Sequence, residues 1–161
     1  MISSHIPTTI IIQEAQQYHS QLDIFLFLVE ASEYYPSFHE WYFNKVVPDI
    51  QDGNRKIISE IRDGKIAGIA ILKDSIEEKK ICTLRISPDF QNRGIGVRLF
   101  KKSFEILQTN KPFLTVSEEK LPEFQKIFDY FNFELTSIAD GMYRHGKKEY
   151  VFNNSSNMEL L

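Results

Sequence analysis

The sequence predicts a single α/β domain, with a mixed central sheet of about seven strands flanked by about four helices. Apolar residues recur at helical spacing in four segments and alternate, with the period of a strand, in others. Asp63-Gly64 and Asp140-Gly141 each stand between two strand-like runs, where such dipeptides favour turns. The 161 residues, 42% of them apolar, suit one domain with a sizeable core.

The first third of the chain is predicted to hold a strand and two helices. Thr9 to Ile12 is a short β-branched run. Ala15 to Glu33 has apolar residues at roughly helical spacing, although the segment IFLFLV within it also fits a buried strand. After Pro36 a second, short helix follows, which Pro48 and Asp52-Gly53 are expected to break.

The middle of the chain is predicted to form three strands and a helix. Residues 55–72 contain two β-branched runs around Asp63-Gly64, which indicates an antiparallel hairpin. Residues 80–86, KICTLRI, alternate again as a third strand. The glycine-rich hexad QNRGIG, residues 91–96, comes next, and the helix after it has one apolar stripe. That stripe consists of Val97, Phe100, Phe104 and Leu107.

The last third is predicted to add a strand, a helix and two closing strands. The strand is PFLTV, residues 112–116, and the helix is LPEFQKIFDYF, residues 121–131, with a proline near its start. FELTSI and KKEYVF then close the sheet around the turn at Asp140-Gly141. We expect one domain over residues 1–152 and a polar C-terminal tail over residues 153–161.

Composition excludes several classes of protein. The net charge is −3, and no run of Lys or Arg exceeds two, so no nucleic-acid partner is expected. The longest apolar run, Ile24 to Val29, is far shorter than a membrane span, and the N-terminus lacks the pattern of a secretory signal. The single Cys82 excludes an internal disulfide. We therefore expect a cytoplasmic protein without a membrane segment.

No metal site is predicted. The four histidines, His5, His19, His39 and His145, are scattered without the spacing of metal ligands. Cys82 is expected on the inward face of its strand with Leu84 and Ile86, in a small apolar role. The segment GMYRHGKK, residues 141–148, has a lysine where a phosphate-binding P-loop needs Ser or Thr, so it is interpreted as a turn.

The hexad is the strongest functional signal. Glycines at the start of a helix leave backbone N–H groups unpaired and let a ligand approach them, which suits a phosphate or pyrophosphate. The alternative is a helix start in which the glycines serve packing alone. The segment LRISPDF precedes the hexad, and an amphipathic helix and a strand-helix-strand-strand sequence follow it.

This arrangement resembles the GCN5-related N-acetyltransferase (GNAT) family. The family motif Gln/Arg-x-x-Gly-x-Gly/Ala is matched by Gln91, Gly94 and Gly96. The resemblance covers residues 55–152, and the first 54 residues follow only the family's order of elements. It implies a GNAT-like acyl-CoA N-acyltransferase fold, acetyl-CoA as co-substrate, and an amine as acceptor.

The resemblance also implies a set of cofactor-binding residues. Backbone N–H groups from Asn92 through Val97 would hold the CoA pyrophosphate, and the fourth strand would bind the pantetheine arm where it parts from the fifth. Arg93 and Arg98 either contact phosphates or are merely solvated. The complete set is Leu84, Arg85, Ile86, Gln91, Asn92, Arg93, Gly94, Ile95, Gly96, Val97, Arg98 and Phe128.

The catalytic residues depart from the family's pattern. Phe128 stands where many members have a tyrosine that protonates the thiolate, and Tyr130 lies about 200° further around the helix. A CoA thiolate can leave unprotonated when backbone donors and the pocket suit it.

The strand-four positions of a family glutamate hold Thr83 and Arg85, so another base is needed. Glu118, Glu119 and Tyr143 are the candidate bases, Ser117 is a candidate donor on the thiol side, and a chain of waters is the alternative. Glu118 and Glu119 equally fit helix capping, and Tyr143 fits packing.

The function expected from the resemblance is that of an acyl-CoA-dependent N-acetyltransferase acting by direct attack in a ternary complex. The acceptor is a small-molecule or protein amine, and the protein is a monomer or homodimer. Aromatic residues between Tyr34 and Phe43 either line the acceptor site or pack. The alternative function is a non-catalytic CoA-binding sensor or a partner-binding module on the same fold.

Overall fold

The computed structural model describes residues 9–11, 21–29 and 35–154. In chain order its strands and α-helices are β1 (Thr9–Ile11), α1 (Gln21–Leu28), α2 (Phe38–Trp41), α3 (Val47–Gln51), β2 (Arg55–Arg62), β3 (Lys65–Asp74), β4 (Lys79–Ile86), α4 (Ile95–Leu107), β5 (Leu114–Ser117), α5 (Leu121–Tyr130), β6 (Leu135–Asp140) and β7 (Lys148–Phe152). This is the predicted α/β fold, and none of the described helices is long and apolar enough to cross a membrane.

The strands form two sheets, ordered β1-β2-β3-β4 and β5-β7-β6. All ladders within them are antiparallel. The predicted hairpin joins β2 to β3, and Asp63 and Gly64 both have positive φ, 53° and 72°. Two such residues in a two-residue loop form the mirror-image turn that matches the twist of paired strands, which confirms the prediction for this dipeptide.

The first sheet is buried on both faces, which the alternation along β3 shows. Ala70 and Leu72 pack on one side with α4 and α5, in a cluster rich in phenylalanine. Ile69 and Ile71 pack on the other side with α1 and α2. Because successive side chains of a strand point to opposite faces, one strand supports both halves of the core.

The helical interpretation of IFLFLV is confirmed, since residues 21–28 form α1. The remainder of the predicted helix, residues 15–20 and 30–33, lies outside the described residues, as do residues 155–161 of the tail.

The second predicted helix continues further than expected. A π-helical turn, Tyr42–Val46, joins α2 to α3, and the helix runs through Pro48 to Gln51. The prediction that Pro48 breaks the helix was therefore wrong. Proline has no N–H to donate to the preceding turn, and the widened π-turn accommodates that loss without ending the helix.

The expected direction of Cys82 was also wrong, because β4 contains a bulge. Ile71 pairs with Thr83 and Leu72 pairs with Ile81, so Cys82 is an extra residue in the ladder. Cys82 consequently packs with the α1 and α2 cluster, whereas Leu84 and Ile86 pack with α4 and α5. A strand's period of two does not continue through a bulge.

Gly68 of β3 allows α4 to approach the sheet, and this yields a stability prediction. A Cβ there would lie 2.8 Å from Ile95 Cγ2 and 2.9 Å from Leu99 Cδ1. We expect Gly68→Val to lower the free energy of unfolding by about 1–3 kcal/mol, measured by urea denaturation, because the added methyls overpack the contact. Lys65→Val, at an exposed position of the same strand, is the control. Equal stability of the two variants would contradict the prediction.

Candidate active site

β4 and β5 meet at one end and then separate. Lys80 and Phe113 form a parallel bridge, in which the Ile81 N–H donates to the Phe113 carbonyl at 3.0 Å and the Phe113 N–H donates to the Lys79 carbonyl at 2.9 Å. In the part of the chain that the structure describes, no further ladder joins these two strands. The edge of β4 beyond Ile81 is therefore open to an extended ligand, as in binding by strand addition.

A cleft of about 280 Å³ fills the gap between the two strands. Leu84 and Ile86 of β4 lie on one side, Leu114 and Val116 of β5 on the other, and α4 and α5 contribute aromatic rings. The rings are those of Phe100, Phe124 and Phe128. An apolar cleft with an open strand edge suits a ligand that has a flexible, amide-bearing chain.

Gln91, the first residue of the hexad, links the cleft's two walls. Its side-chain amide donates to the Ile86 carbonyl at 3.2 Å and to Glu123 Oε1 at 3.0 Å. Both partners line the cleft, one from β4 and one from α5. The hexad therefore begins at the cleft.

The hexad forms the start of α4 through two residues with left-handed backbone, Asn92 at φ 60° and Gly94 at φ 78°. The Arg98 N–H donates to the Gly94 carbonyl at 3.1 Å, which closes the first turn. The backbone amides of residues 95–97 precede that bond and have no acceptor within the helix. A helix start with such donors is a site for an anion.

The two glycines of the hexad have different roles. A Cβ on Gly96 would lie 2.9 Å from both Ile86 Cδ1 and Ile127 Cδ1, so this glycine serves packing. Nothing lies within 4 Å of a Cβ on Gly94, whose positive φ sets the loop conformation and whose surroundings leave room for a ligand. Packing thus accounts for Gly96, whereas Gly94 is required by its backbone conformation and leaves open space beside the helix start.

A second cavity, of about 610 Å³, lies against the cleft. Its walls include Tyr35, Phe38, Trp41 and Tyr143, together with charged side chains. Four residues line both spaces, namely Tyr35, Cys82, Thr83 and Thr115. The two cavities meet where β4 and β5 separate. Two ligands, one in each cavity, would therefore have their ends next to each other at this junction.

A buried carboxylate lies beside this junction. Glu149 of β7 is 3% exposed, and the Tyr35 hydroxyl donates to its Oε1 at 3.0 Å. Burial raises the pKa of Glu149, and the hydrogen bonds from Tyr35 and Thr115 oppose that shift. Burial also raises the pKa of Tyr35, with a further increase from the negative charge of Glu149.

Tyr143 lies beside Tyr35 and Glu149. Its ring meets that of Tyr35 edge to face, with centroids 5.1 Å apart, and burial raises the pKa of its phenol. It lies on the loop that joins β6 to β7, residues 141–147. This segment is a connection between strands, as the sequence predicts for GMYRHGKK.

Of the residues predicted to bind a cofactor, Leu84, Arg85, Ile86 and Phe128 line the cleft. The Arg85 guanidinium reaches toward α1, where it donates to the Phe27 carbonyl at 2.6 Å and lies 4.5 Å from the Phe27 ring centroid. The Arg93 guanidinium lies 5.6 Å from the Phe90 ring centroid. Arg98 is exposed on the first turns of α4.

The predicted orientation of α5 is confirmed. Phe128 is 2% exposed and lines the cleft, whereas Tyr130 is 64% exposed. The phenol of Tyr130 therefore does not point into the cleft, which is what its position on the helix predicts.

The predicted catalytic residues have different surroundings. Glu118 Oε1 accepts from the Lys148 backbone N–H at 3.1 Å, and Glu119 accepts two bonds from the Arg144 guanidinium at 2.9 and 2.6 Å. Hydrogen bonding to Arg144 lowers the pKa of Glu119 to about 2. Neither glutamate caps α5, whose N-cap, Lys120, makes no side-chain capping bond.

Ser117 is buried opposite Glu149 in the β5–β7 ladder, and its Oγ has no hydrogen-bond partner among the described residues. Tyr143 is the predicted catalytic residue that lines the second cavity.

Thr115 and Glu149 were missed in the sequence, and Tyr35 was included only among the aromatic residues between Tyr34 and Phe43. A signal existed for Glu149, because in KKEYVF it shares a face with Val151, and a carboxylate at an inward position of a strand is unusual. Tyr35 precedes a helix in an irregular segment, where no periodicity marks it.

A comparison of the sequence with models of known protein families identifies one family. The model of the acetyltransferase (GNAT) domain matches residues 13–141. No curated protein matches the sequence.

Several solved structures share the fold. A chimera of the spermidine N-acetyltransferase from Vibrio cholerae and its human counterpart has 16% identity, a TM-score of 0.64, and a match covering 91% of this chain and 95% of that one. The ribosomal-protein-S18-alanine N-acetyltransferase of Escherichia coli has 15% identity and a TM-score of 0.63. That match covers 94% of this chain and 99% of the enzyme. A GNAT acetyltransferase from Elizabethkingia anophelis with bound acetyl-CoA has 15% identity and a TM-score of 0.53. The match covers 67% of this chain and 80% of that chain.

Proposed function

This chain belongs to the GNAT family of acetyltransferases, and from that premise we propose that it transfers the acetyl group of acetyl-CoA to an amine by direct attack in a ternary complex. One observation carries the proposal: two cavities meet at Tyr35, Cys82, Thr83 and Thr115, where β4 and β5 part. A reaction without a covalent enzyme intermediate requires both substrates to be bound at once, with their reacting ends in contact. Two adjoining cavities supply that arrangement.

We assign the cleft between β4 and β5 to acetyl-CoA. The pyrophosphate would accept hydrogen bonds from backbone N–H groups of residues 92–97, and the helix dipole of α4 favours its negative charge. The pantetheine amides would bond to the open edge of β4 at Leu84, Arg85 and Ile86. Phe128 would contact the pantetheine arm through its ring.

We assign the second cavity to the acceptor amine. The names of two similar enzymes give the polyamine spermidine and an alanine of a ribosomal protein as acceptors, and these differ too much to define the acceptor of this chain. Aromatic walls at Phe38 and Trp41 favour an acceptor with apolar surface beside its amine. This supports the acceptor-lining interpretation of the aromatic residues before Phe43.

The chemistry requires an amine that has lost its proton and a thiolate that can leave. The amine nitrogen attacks the thioester carbonyl, the C–S bond breaks, and the electron pair leaves with sulfur. Phe128 offers no proton at the position that faces the cleft, so the thiolate would leave unprotonated and acquire a proton from solvent. Ser117 and Tyr143 remain candidates: Tyr143 lines the second cavity, and Ser117 lies opposite Glu149 in the β5–β7 ladder, whereas Glu118 accepts from the Lys148 backbone N–H.

Two measurements test this function. We expect saturable binding of acetyl-CoA by calorimetric titration, and release of free thiol when a panel of primary amines is added. Binding without thiol release from any amine would instead support the non-catalytic sensor. Absence of binding would exclude both and leave a partner-binding module on the same fold.

A further inference from the structure

We propose that Tyr35 and Glu149 form a proton relay, in which the Tyr35 oxygen accepts a proton from the acceptor amine while the Tyr35 hydroxyl proton passes to Glu149. The inference deepens the proposed function and rests on it. Tyr35 would contact the amine, and Glu149 would act through Tyr35 as a positioning and proton-holding residue.

The direction of the relay follows from the hydrogen bond between the two residues. A phenol has one proton to donate, and Tyr35 donates it to Glu149 Oε1 at 3.0 Å. On the side that faces the cavities, the Tyr35 oxygen can therefore only accept a hydrogen bond or a proton. It can take a proton from an amine, but it cannot give one to a thiolate without first breaking its bond to Glu149.

The location of the pair fits this role. Tyr35 lines both cavities, at the junction where an amine would meet a thioester. Glu149 is 3% exposed and lies behind Tyr35 and Thr115, so its carboxylate reaches the junction through their hydroxyls. A buried carboxylate that bonds to a cavity-lining phenol has no evident role in packing, because its desolvation is costly.

The surroundings of Glu149 favour its acting as an acceptor. Burial raises its pKa above the ordinary value for glutamate, which makes the carboxylate a stronger base. Protonation of Glu149 also removes the negative charge that raises the pKa of Tyr35. The charged and titratable groups that face the pair are Glu119 of the β5–α5 turn and Tyr143 and Arg144 of the β6–β7 loop, and Cys82 of β4 lines the same junction.

In the proposed step one bond to the acetyl carbon forms, one breaks, and one proton moves to Glu149. The amine nitrogen forms a bond to the acetyl carbon and loses one proton to the Tyr35 oxygen. The Tyr35 proton moves to Glu149, and the C–S bond breaks with the electron pair on sulfur. The products are the amide, the CoA thiolate and a protonated Glu149, which returns its proton to solvent before the next turnover.

The test compares Glu149→Gln and Tyr35→Phe with wild type, using thiol release from acetyl-CoA with primary alkylamines, with aniline and with water alone. We expect kcat with alkylamines to fall about 100-fold in each variant, while the Kd for acetyl-CoA stays unchanged. The loss should be smaller with aniline, because an arylamine nitrogen becomes more acidic than an alkylamine nitrogen as it attacks and gives up its proton to water more readily. Glu134→Gln and Tyr130→Phe, at exposed positions, are the matched controls and should behave as wild type.

The pH profile separates the relay from a structural role. Because the reaction needs ionised Glu149, the wild-type rate should be full at high pH and fall as pH decreases through a pKa above the ordinary glutamate value. Glu149→Gln should lack this acid limb.

The outcomes distinguish the two proposals. Wild-type turnover with unchanged kcat and pH profile in both variants would overturn the relay and leave the proposed function standing. Failure of wild type to bind acetyl-CoA, or binding with no thiol release even to water, would overturn the proposed function and the relay together.

Discussion

Replacing Gly94 by glutamate is expected to abolish acetyl-CoA binding while leaving the protein folded. Gly94 precedes α4 with φ 78°, and no atom lies within 4 Å of a Cβ built there. A glutamate side chain would therefore extend into the space above the first-turn amides, where the pyrophosphate is proposed to bind. Its negative charge would repel the phosphates and compete with them for the same N–H donors.

The size of the effect follows from electrostatics. Two unit charges about 4 Å apart interact by roughly 4 kcal/mol near a protein surface. The expected loss in affinity is thus about 1,000-fold, since each 1.4 kcal/mol is a factor of about ten. Calorimetric titration with acetyl-CoA measures it directly.

Gly53→Glu is the control for backbone strain. Gly53 lies in the turn between α3 and β2, has φ 79°, and also has nothing within 4 Å of a built Cβ. The two variants therefore carry a similar conformational cost, of about 1–2 kcal/mol, but only one adds charge to the hexad. Equal acetyl-CoA affinity in the two variants would show that the hexad does not bind the pyrophosphate.

Replacing Phe128 by alanine is expected to cause the largest loss of stability. The ring is 2% exposed and contacts the rings of Phe124, Phe133 and Phe152, with centroids 6.0, 5.5 and 4.6 Å away. Removing a buried phenylalanine costs about 3–5 kcal/mol through lost burial and the cavity left behind. Because small domains have roughly 5–15 kcal/mol in total, the variant should unfold at a much lower urea concentration.

Tyr130→Ala on the same helix is the matched control. Its side chain is 64% exposed, so its removal should change the free energy of unfolding by about 0.5 kcal/mol or less. If Phe128→Ala were as stable as Tyr130→Ala, the ring would not belong to the core, and its position beside the cleft would have to be explained by ligand binding alone.

The opening between β4 and β5 begins next to the bulge at Cys82. An extra residue in one strand of a ladder bends that strand and increases its twist. Here the bulge lies next to the Lys80–Phe113 bridge, beyond which the strands separate. We infer that the bend helps to part the strands, and it also directs Cys82 and Thr83 to the junction of the two cavities.

Much of the fold and of the candidate site could be predicted from local patterns. The period of two in residues 55–72, the Asp63-Gly64 turn and the apolar stripe of α4 are each set by residues close together in the sequence. The hexad belongs to this group too, because its two left-handed residues, Asn92 and Gly94, shape a helix start from within six positions. Among the described residues, local rules fail at Pro48 and Cys82, where a π-turn and a bulge shift the period, and at Glu118 and Glu119, neither of which caps α5.

The sequence by itself therefore determined the order of the elements, the helix start that can receive a phosphate, and the inward position of Phe128. Only the tertiary structure decided what meets at the junction. Tyr35 and Glu149 are 114 positions apart, and neither carries a motif. Their contact exists because the segment before α2 lies against the second sheet, where β7 presents a carboxylate on its buried face. Such a pairing is fixed by long-range packing, which local periodicity does not encode.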